Sequence, residues 1–347
     1  MPPEVPPAAL RLSIDRAALA ANWRALDKLS GTASAGAAVK ADAYGLGTKV
    51  AARVLKEVGC EDFLVAHWAE VPDLLECVPA DAISVLHGPL NRPEADFGRA
   101  CGVKPVINSL HQARLWMDSG GGRCDLMVDT GINRLGLPMD ALADPLIQQL
   151  NVDVLHSHLA AADEDSPQNE FQRRRWVEAR AKLAHRRASL ANSAGIGLGA
   201  AFHGDLTRPG LSLYGGIARP EYAGLIRQVA FPEAAIMQIR DLQAGDSVGY
   251  NATFTAAGPL RVGVVSIGYA DGYLRCWSGK GMLHSGGRGL PVLGRVSMDM
   301  TVIDLSAAPD LNEGDWVSLD YSLPEASAAS GLSQYELLTL LGRRFGR

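Results

Sequence analysis

The chain has 347 residues, of which 47% are hydrophobic and 20% charged, with a formal net charge of −5. That length suits about two domains, and the composition is that of a soluble globular protein. Mild acidity without a long basic run argues against nucleic acid or an anionic membrane surface as partner. The start, Met1-Pro2-Pro3-Glu4-Val5-Pro6-Pro7, lacks the basic segment and apolar core of a secretory leader, and no uninterrupted apolar run is long enough to span a membrane. The cysteines (Cys60, Cys77, Cys101, Cys124, Cys276) are scattered without metal-ligand spacing. A cytoplasmic protein with reduced thiols and no metal is expected.

From about Arg11 to Gly215 short apolar runs alternate with amphipathic stretches. The runs are Ala37–Val39, Phe63–Ala66, Ile83–Leu86, Pro105–Ile107, Leu126–Val128, Val152–Leu155 and Ser189–Ala191, with an eighth within Leu206–Tyr214. Between them, Arg16–Leu29, Lys49–Val58, Leu110–Met117 and Phe171–His185 carry a helical pattern. Repeated βαβ units of this size predict a (β/α)8 TIM-type barrel over 10–222. The rival, a doubly wound open sheet, is weakened because no G-x-G-x-x-G follows the first strand. From about 223 to 347 alternating strands predict a mostly antiparallel β domain: Ala234–Ile239, Leu260–Ser266, Pro291–Val296, Met300–Leu305 and Trp316–Leu319. Gln243–Asp246 and Asn312–Asp315 read as turns, and a last helix is expected near Gln334–Leu341.

In a parallel barrel, chemistry collects at the carboxyl ends of the strands. The segment Ala38-Val39-Lys40-Ala41-Asp42-Ala43-Tyr44-Gly45-Leu46-Gly47 delivers a lysine to such an end and breaks into a glycine-punctuated turn. Desolvation there disfavours the ammonium, which is what a Schiff-base lysine needs. The bland alternative is a strand-end lysine reaching into solvent. Asp129–Arg134, His158, Asn192–Gly195 and Thr207–Leu211 fall at four further strand ends. Taken singly, Asp129 reads as a cap, Arg134 as a surface ion pair and His158 as a core histidine. Five strand ends together argue for a site. Ser193, Gly210 and the turn after Lys40 could offer donors to a phosphate. A lysine for an aldehyde beside a phosphate cradle suggests pyridoxal 5′-phosphate.

Set in order along the chain, these motifs resemble the alanine racemase family. They are A-V-K-A-D-A-Y-G-L-G around Lys40, D-T-G-I-N-R-L-G around Arg134, H-L-A-A-A-D-E from His158, N-S-A-G from Asn192, R-P-G-L-S-L-Y-G from Arg208, V-G-Y-N-A-T-F from Val248, I-G-Y-A-D-G-Y around Tyr269 and G-R-V-S-M-D-M around Met298. The resemblance implies a barrel followed by a β domain, and a head-to-tail homodimer. Lys40 would hold pyridoxal phosphate covalently. Tyr44, Asn192, Ser193, Gly210 and Leu211 would surround it, and Arg208 would face the pyridine nitrogen. Tyr250 of the partner would reach the opposite face, coupled to His158. Arg134, Tyr269, Met298 and Asp299 would contact the substrate amino acid.

Racemisation removes the Cα proton from one face and returns one to the other. Lys40 and Tyr250 would serve as the two bases. Arginine cannot accept the pyridine proton, so Arg208 would leave the cofactor a weaker electron sink and suppress side transamination. The implied reaction is interconversion of L- and D-alanine for peptidoglycan. The alternatives are a broader racemase acting on serine and a non-catalytic cofactor carrier, for which Tyr250 would be superfluous. Two departures stand out. Met127 occupies a position where many members carry a lysine, often carbamylated, so Asn133 is expected to help hold Arg134. The terminus Leu341-Gly342-Arg343-Arg344-Phe345 lacks a tyrosine that touches the phosphate in many members.

Overall fold

The computed structural model describes residues 6–342 and 344–346. Met1–Val5, part of the start read above for a leader, and Arg343 of the tyrosine-less terminus lie outside them. The chain forms two units: Arg16–Arg227, and the described residues through Asp15 joined with those from Gln228 onward.

In the first unit seven parallel strands run in chain order. They are β3 (Ala37–Ala38), β4 (Phe63–Val65), β5 (Ile83–Val85), β6 (Lys104–Ile107), β7 (Arg123–Met127), β8 (Asn151–His156) and β9 (Arg187–Ser189). The eighth, β10 (Leu206–Thr207), pairs in parallel with β2 (Ser34–Ala35), which leads directly into β3. The ring closes on β10's other side through Arg208 N–H to Ala191 O at 2.8 Å, and continues along the first strand through Ala38 N–H to Pro209 O at 2.9 Å. Closure leaves no free edge. Helices lie between the strands because their apolar residues recur every three or four positions. In Arg16–Ser30 these are Leu19, Trp23 and Leu26, all buried. Trp23 also donates to Ala35 O at 3.1 Å, which pins that helix to the strand before the lysine.

The amino-terminal half of the barrel interior holds buried charge rather than only branched apolar side chains. Lys104 Nζ bonds Asp153 Oδ2 at 2.8 Å, and Arg187 clamps Asp62 at 2.7 and 2.8 Å. One layer up, Asp125 accepts from Ser84 Oγ at 2.6 Å and meets His156 Nε2 at 3.3 Å. Burial pushes the Asp125 carboxyl up, but Lys104 and His156 outweigh it and hold the group well below the usual carboxylate range.

The named strands of the second unit pair antiparallel. Its strands are β1 (Leu10–Ile14), β11 (Ala230–Leu242), β12 (Ser247–Val248), β13 (Phe254–Thr255), β14 (Leu260–Val265), β15 (Met282–Ser285), β16 (Arg288–Leu293), β17 (Thr301–Asp304) and β18 (Trp316–Leu319). The order β11-β14-β17-β16-β15-β18 returns to β11, so this sheet also closes on itself. β11 is long enough to pair with β1 and β18 at one end and β14 at the other, with a register break between Ile236 and Gln238. β12 and β13 form a separate hairpin.

The division differs from the expected boundary at 10–222. β1 pairs with β11 across Leu10–Ala234 to Ile14–Ala230, and Gly346 bonds Leu10 and Leu12 from the other side. Alternation in L-R-L-S-I marks a half-buried strand but does not say which sheet receives it. What receives it is remote in sequence: β11 pairs with β1 along the whole length of β1, Leu10 and Leu12 are buried, and the Arg11 guanidinium lies 3.6 Å from the Trp316 ring centroid. Residues 223–227 correspondingly stay with the first unit, where Asn22 bonds Arg227 N–H and O.

Candidate active site

The ladder that ends at Lys40 is regular up to the residue before it. Ala37 N–H donates to Asp62 O at 2.8 Å and Val39 N–H to Leu64 O at 2.9 Å. Immediately after Lys40 the backbone turns left-handed for four successive non-glycine residues, Ala41, Asp42, Ala43 and Tyr44, with φ of 54°, 53°, 52° and 58°. That conformation costs roughly 1–2 kcal/mol per L-residue, so it persists only where surrounding bonds enforce it. Gly45 N–H reaches Ala41 O at 2.8 Å, Gly47 N–H reaches Asp42 O at 2.8 Å, and Asp42 Oδ1 accepts from Thr48 N–H at 2.7 Å. The turn leaves Lys40 partly buried and returns Tyr44 into the core, where its ring lies 4.9 Å from that of Tyr214. Burial lowers the Lys40 pKa; the Arg134 and Arg208 charges lower it further, and Glu70 opposes them.

Tyr44 faces the loop after β10. A Cβ on Gly210 would stand 2.2 Å from Tyr44 Oη, so only glycine fits beneath the phenol. Ser193 Oγ accepts from Gly210 N–H at 2.9 Å and Ser212 N–H at 3.2 Å, which joins the ends of strands seven and eight. Buried Ser212 Oγ has no protein partner. Leu211 opens the short turn Leu211–Tyr214 with its side chain in the core. Asn192 is used locally: its Oδ1 accepts from Gly195 N–H at 2.9 Å and caps the segment that presents Ser193.

Arg208 is buried, and its guanidinium bonds Ser189 Oγ, Ser157 O at 2.5 Å and Leu190 O at 3.4 Å. Burial pulls its pKa down to about 10, which still leaves a cation at neutral pH. His158 follows β8 and is held neutral: burial, then the Arg208, Arg134 and Lys40 charges, push its pKa down to about 3. Its link to Arg208 is thus one of charge. Arg134 is exposed on a loop shaped by Asp129, whose Oδ1 accepts the N–H groups of Gly131, Ile132 and Asn133 at 2.8, 3.0 and 3.2 Å. Asn133 contributes a left-handed φ of 56° to that loop. Met127 is buried at the end of β7.

The other expected residues belong to the second unit. Tyr250 follows Gly249 after β12 and is 63% exposed. Tyr269, Met298 and Asp299 meet on two adjoining loops: Tyr269 N–H bonds Ser297 O and Ala270 N–H bonds Met298 O, both at 3.0 Å. Asp299 Oδ1 accepts from Arg344 at 2.7 Å, and the Arg275 guanidinium lies 5.3 Å from the Tyr269 ring centroid. Glu70 and Ser212 carry little sign in the sequence of a place near Lys40 or the Gly210 loop. Glu70 stands three residues after His67, a capping spacing, but nothing local reveals its second bond, to Ala41. Ser212 lies inside a segment read as strand. Among the described residues no group of three or more His, Cys, Asp or Glu side chains suits a metal ion.

Fold and side chains together define a (β/α)8-barrel protein with a second, antiparallel β unit, and with Lys40, Ser193 and Arg208 at the carboxyl ends of its barrel strands. The family model for the alanine racemase N-terminal domain matches residues 14–218, and that for the C-terminal domain residues 229–347. The biosynthetic alanine racemase of Agrobacterium fabrum is 41% identical, over 98% of this chain and 93% of its own. The alanine racemase of Acidiphilium cryptum is 40% identical, over 97% of each. The crystal structure of Bartonella henselae alanine racemase, with covalently bound pyridoxal phosphate, superposes with a TM-score of 0.90 at 33% identity, covering 98% of this chain and 99% of that one. The chain belongs to the alanine racemase family.

Proposed function

We propose that this protein is a pyridoxal 5′-phosphate-dependent isomerase that interconverts L- and D-alanine with two bases. The observation that carries the reading is the pairing, on one barrel mouth, of the pKa-depressed amine of Lys40 with the cradle of Tyr44, Ser193 and Gly210. The residues present fit the cofactor: glycine at 210 leaves room that a Cβ would fill, Ser212 Oγ is an unused buried polar atom, and a cation that does not lose its charge stands at Arg208. Tyr44 Oη, the Ser193 hydroxyl and the Leu211 N–H would hold the phosphate on the segment that Asn192 caps, with Gly210, whose N–H bonds Ser193 Oγ, leaving room for it. Lys40 Nζ would hold the aldehyde carbon. When bound, the cofactor supplies an electron sink that makes the substrate Cα proton removable.

Each remaining role belongs to a side chain of this protein. Lys40 Nζ, freed by the incoming amino group, takes or gives the proton on one face of Cα. Tyr250 Oη does so on the other. His158, neutral at working pH, keeps one ring N–H that can donate to the phenolate of Tyr250 and so support it. Arg208 would face the ring nitrogen as a donor and, staying protonated, would not take a proton from it, so the cofactor would supply a weaker electron sink there. Arg134 would receive the substrate carboxylate; in the second unit the Met298 backbone and the neighbouring Asp299 would offer further contacts, and Tyr269 and Met298 would narrow the entrance. We assign a head-to-tail homodimer in which Tyr250 crosses the interface; its exposure in the single chain supports this. The biosynthetic name of the Agrobacterium relative supports a role in supplying D-alanine for peptidoglycan. Five free cysteines support a cytoplasmic setting.

Chiral chromatography after incubation of the loaded protein with an amino-acid panel tests this reading. Wild type should equilibrate L- and D-alanine faster than serine, while Lys40→Ala and Tyr250→Phe should each lose about 10²–10⁴-fold in rate. A protein that binds the cofactor at Lys40 without interconverting any amino acid overturns it.

A further inference from the structure

We propose that Glu70 is a positioning residue for Lys40: its carboxylate replaces the missing rung of the first barrel strand and so fixes where the ε-amine emerges. The proposal rests on the racemase reading for what Lys40 does, but its geometry is independent of it. In the parallel ladder Ala37 and Val39 donate to Asp62 O and Leu64 O, so the next donor, Ala41 N–H, would meet Ala66 O. It does not, because Ala66 O accepts instead from His87 N–H at 3.1 Å. Glu70 Oε1 takes the place of that carbonyl and accepts from Ala41 N–H at 2.5 Å. Its Oε2 accepts from Ala66 N–H at 2.7 Å and His67 N–H at 2.9 Å. One carboxylate thus ties the peptide that follows Lys40 to the end of the neighbouring strand, at the point where the backbone turns left-handed.

The chemistry of the group suits this. Three N–H donors converge on it, and an ionised carboxylate offers only acceptors. A glutamine would retain one acceptor oxygen and turn an NH2 toward a donor. The Glu70 charge opposes those of Arg134 and Arg208 at Lys40, so its removal would by charge alone favour the free amine, and slower capture in its absence reports the lost positioning. The rival role is a purely local one, in which Glu70 secures only the short helical turn Trp68–Glu70.

The test uses full-length wild type, Glu70→Ala and Glu70→Gln. Capture of pyridoxal phosphate by apoprotein is followed by absorbance, and the site of attachment by borohydride reduction and peptide mass spectrometry. We expect Glu70→Ala to capture cofactor at Lys40 at least about tenfold more slowly, and to lose at least about tenfold in kcat with KM within about threefold. Glu70→Gln should fall between. Capture and kcat within about twofold of wild type in folded Glu70→Ala overturn the proposal, as does a lowered thermal midpoint with unaltered capture, which is the local role. If Glu70→Ala does not fold, amide exchange on wild type decides: Ala41 should be protected together with Ala66 and His67, and a freely exchanging Ala41 overturns the clamp. Should wild type capture cofactor at Lys40 but not racemise, the enzymatic reading falls while the capture ratio still decides Glu70.

Discussion

At Lys40 burial and two guanidinium groups work against the ammonium, with Glu70 acting the other way. The free amine is the form that attacks an aldehyde, so cofactor capture by apoprotein should rise with pH and level off at a midpoint below the ordinary lysine value of 10.5. A pH series of capture rates checks this; a midpoint at or above that value contradicts it. At Gly210 the constraint is space. Gly210→Ala sets a methyl 2.2 Å from Tyr44 Oη, in the cradle itself. We expect cofactor affinity to fall at least about tenfold, roughly the loss of one good hydrogen bond, measured by absorbance titration. Arg208→Glu offers the ring nitrogen an acid and should raise pyruvate formed per racemisation; an unchanged ratio argues against the weak-sink account. Lys40, Ser193 and Arg208 were legible in the sequence because each follows a strand in a recognisable run, whereas Tyr44, inside the turn after Lys40, was legible only through the family resemblance. Glu70 was not, because its meaning lies in a bond to a residue 29 positions away.

Among the elements, the left-handed turn and the charged barrel floor carry consequences of their own. Ala41 is exposed and pays left-handed strain of about 1–2 kcal/mol. Glycine there escapes the strain at a cost of about 0.4–1 kcal/mol in unfolded-chain entropy. Ala41→Gly should therefore stabilise the protein slightly, seen as a higher denaturant midpoint, against the usual effect of an alanine-to-glycine change; a lower midpoint contradicts the strain. On the floor, Lys104→Met removes the cation that acts most strongly on Asp125 and the shortest ion pair of Asp153, which keeps Arg187 and Arg123 at 3.3 and 3.4 Å, and should cost at most about 3–5 kcal/mol at neutral pH. The sign with pH follows from the two depressed carboxyls. Their contribution is present above the ordinary aspartate value of 3.8 and fades as pH falls through the lowered folded values, so the deficit of Lys104→Met should shrink in acid. Denaturant midpoints across pH check this. All eight barrel strands were legible from apolar runs bounded by turn residues. β1, β2, β12, β13 and β15 were not: three are only two residues long, and β1 gives no local sign of which sheet takes it.

For the molecule as a whole, the candidate residues divide between two units: the lysine and anion cradle in one, the exposed phenol of Tyr250 and the Tyr269–Met298–Asp299 loops in the other. If each site takes Lys40 from one subunit and Tyr250 from its partner, subunits carrying Lys40→Ala and Tyr250→Phe complement each other. Random pairing of equal amounts should restore about a quarter of wild-type activity, since half the dimers are mixed and each mixed dimer has one intact site. Sites built within one chain would give no recovery. The central claim is proton exchange at Cα between Lys40 and Tyr250, and it is read most directly by incubating the cofactor-loaded protein with L-alanine in deuterium oxide and following the product by chiral chromatography and mass spectrometry. The account predicts D-alanine bearing solvent deuterium at Cα from wild type, and a loss of that product in both Lys40→Ala and Tyr250→Phe. L-alanine recovered unchanged from wild type carrying the cofactor on Lys40 would contradict it.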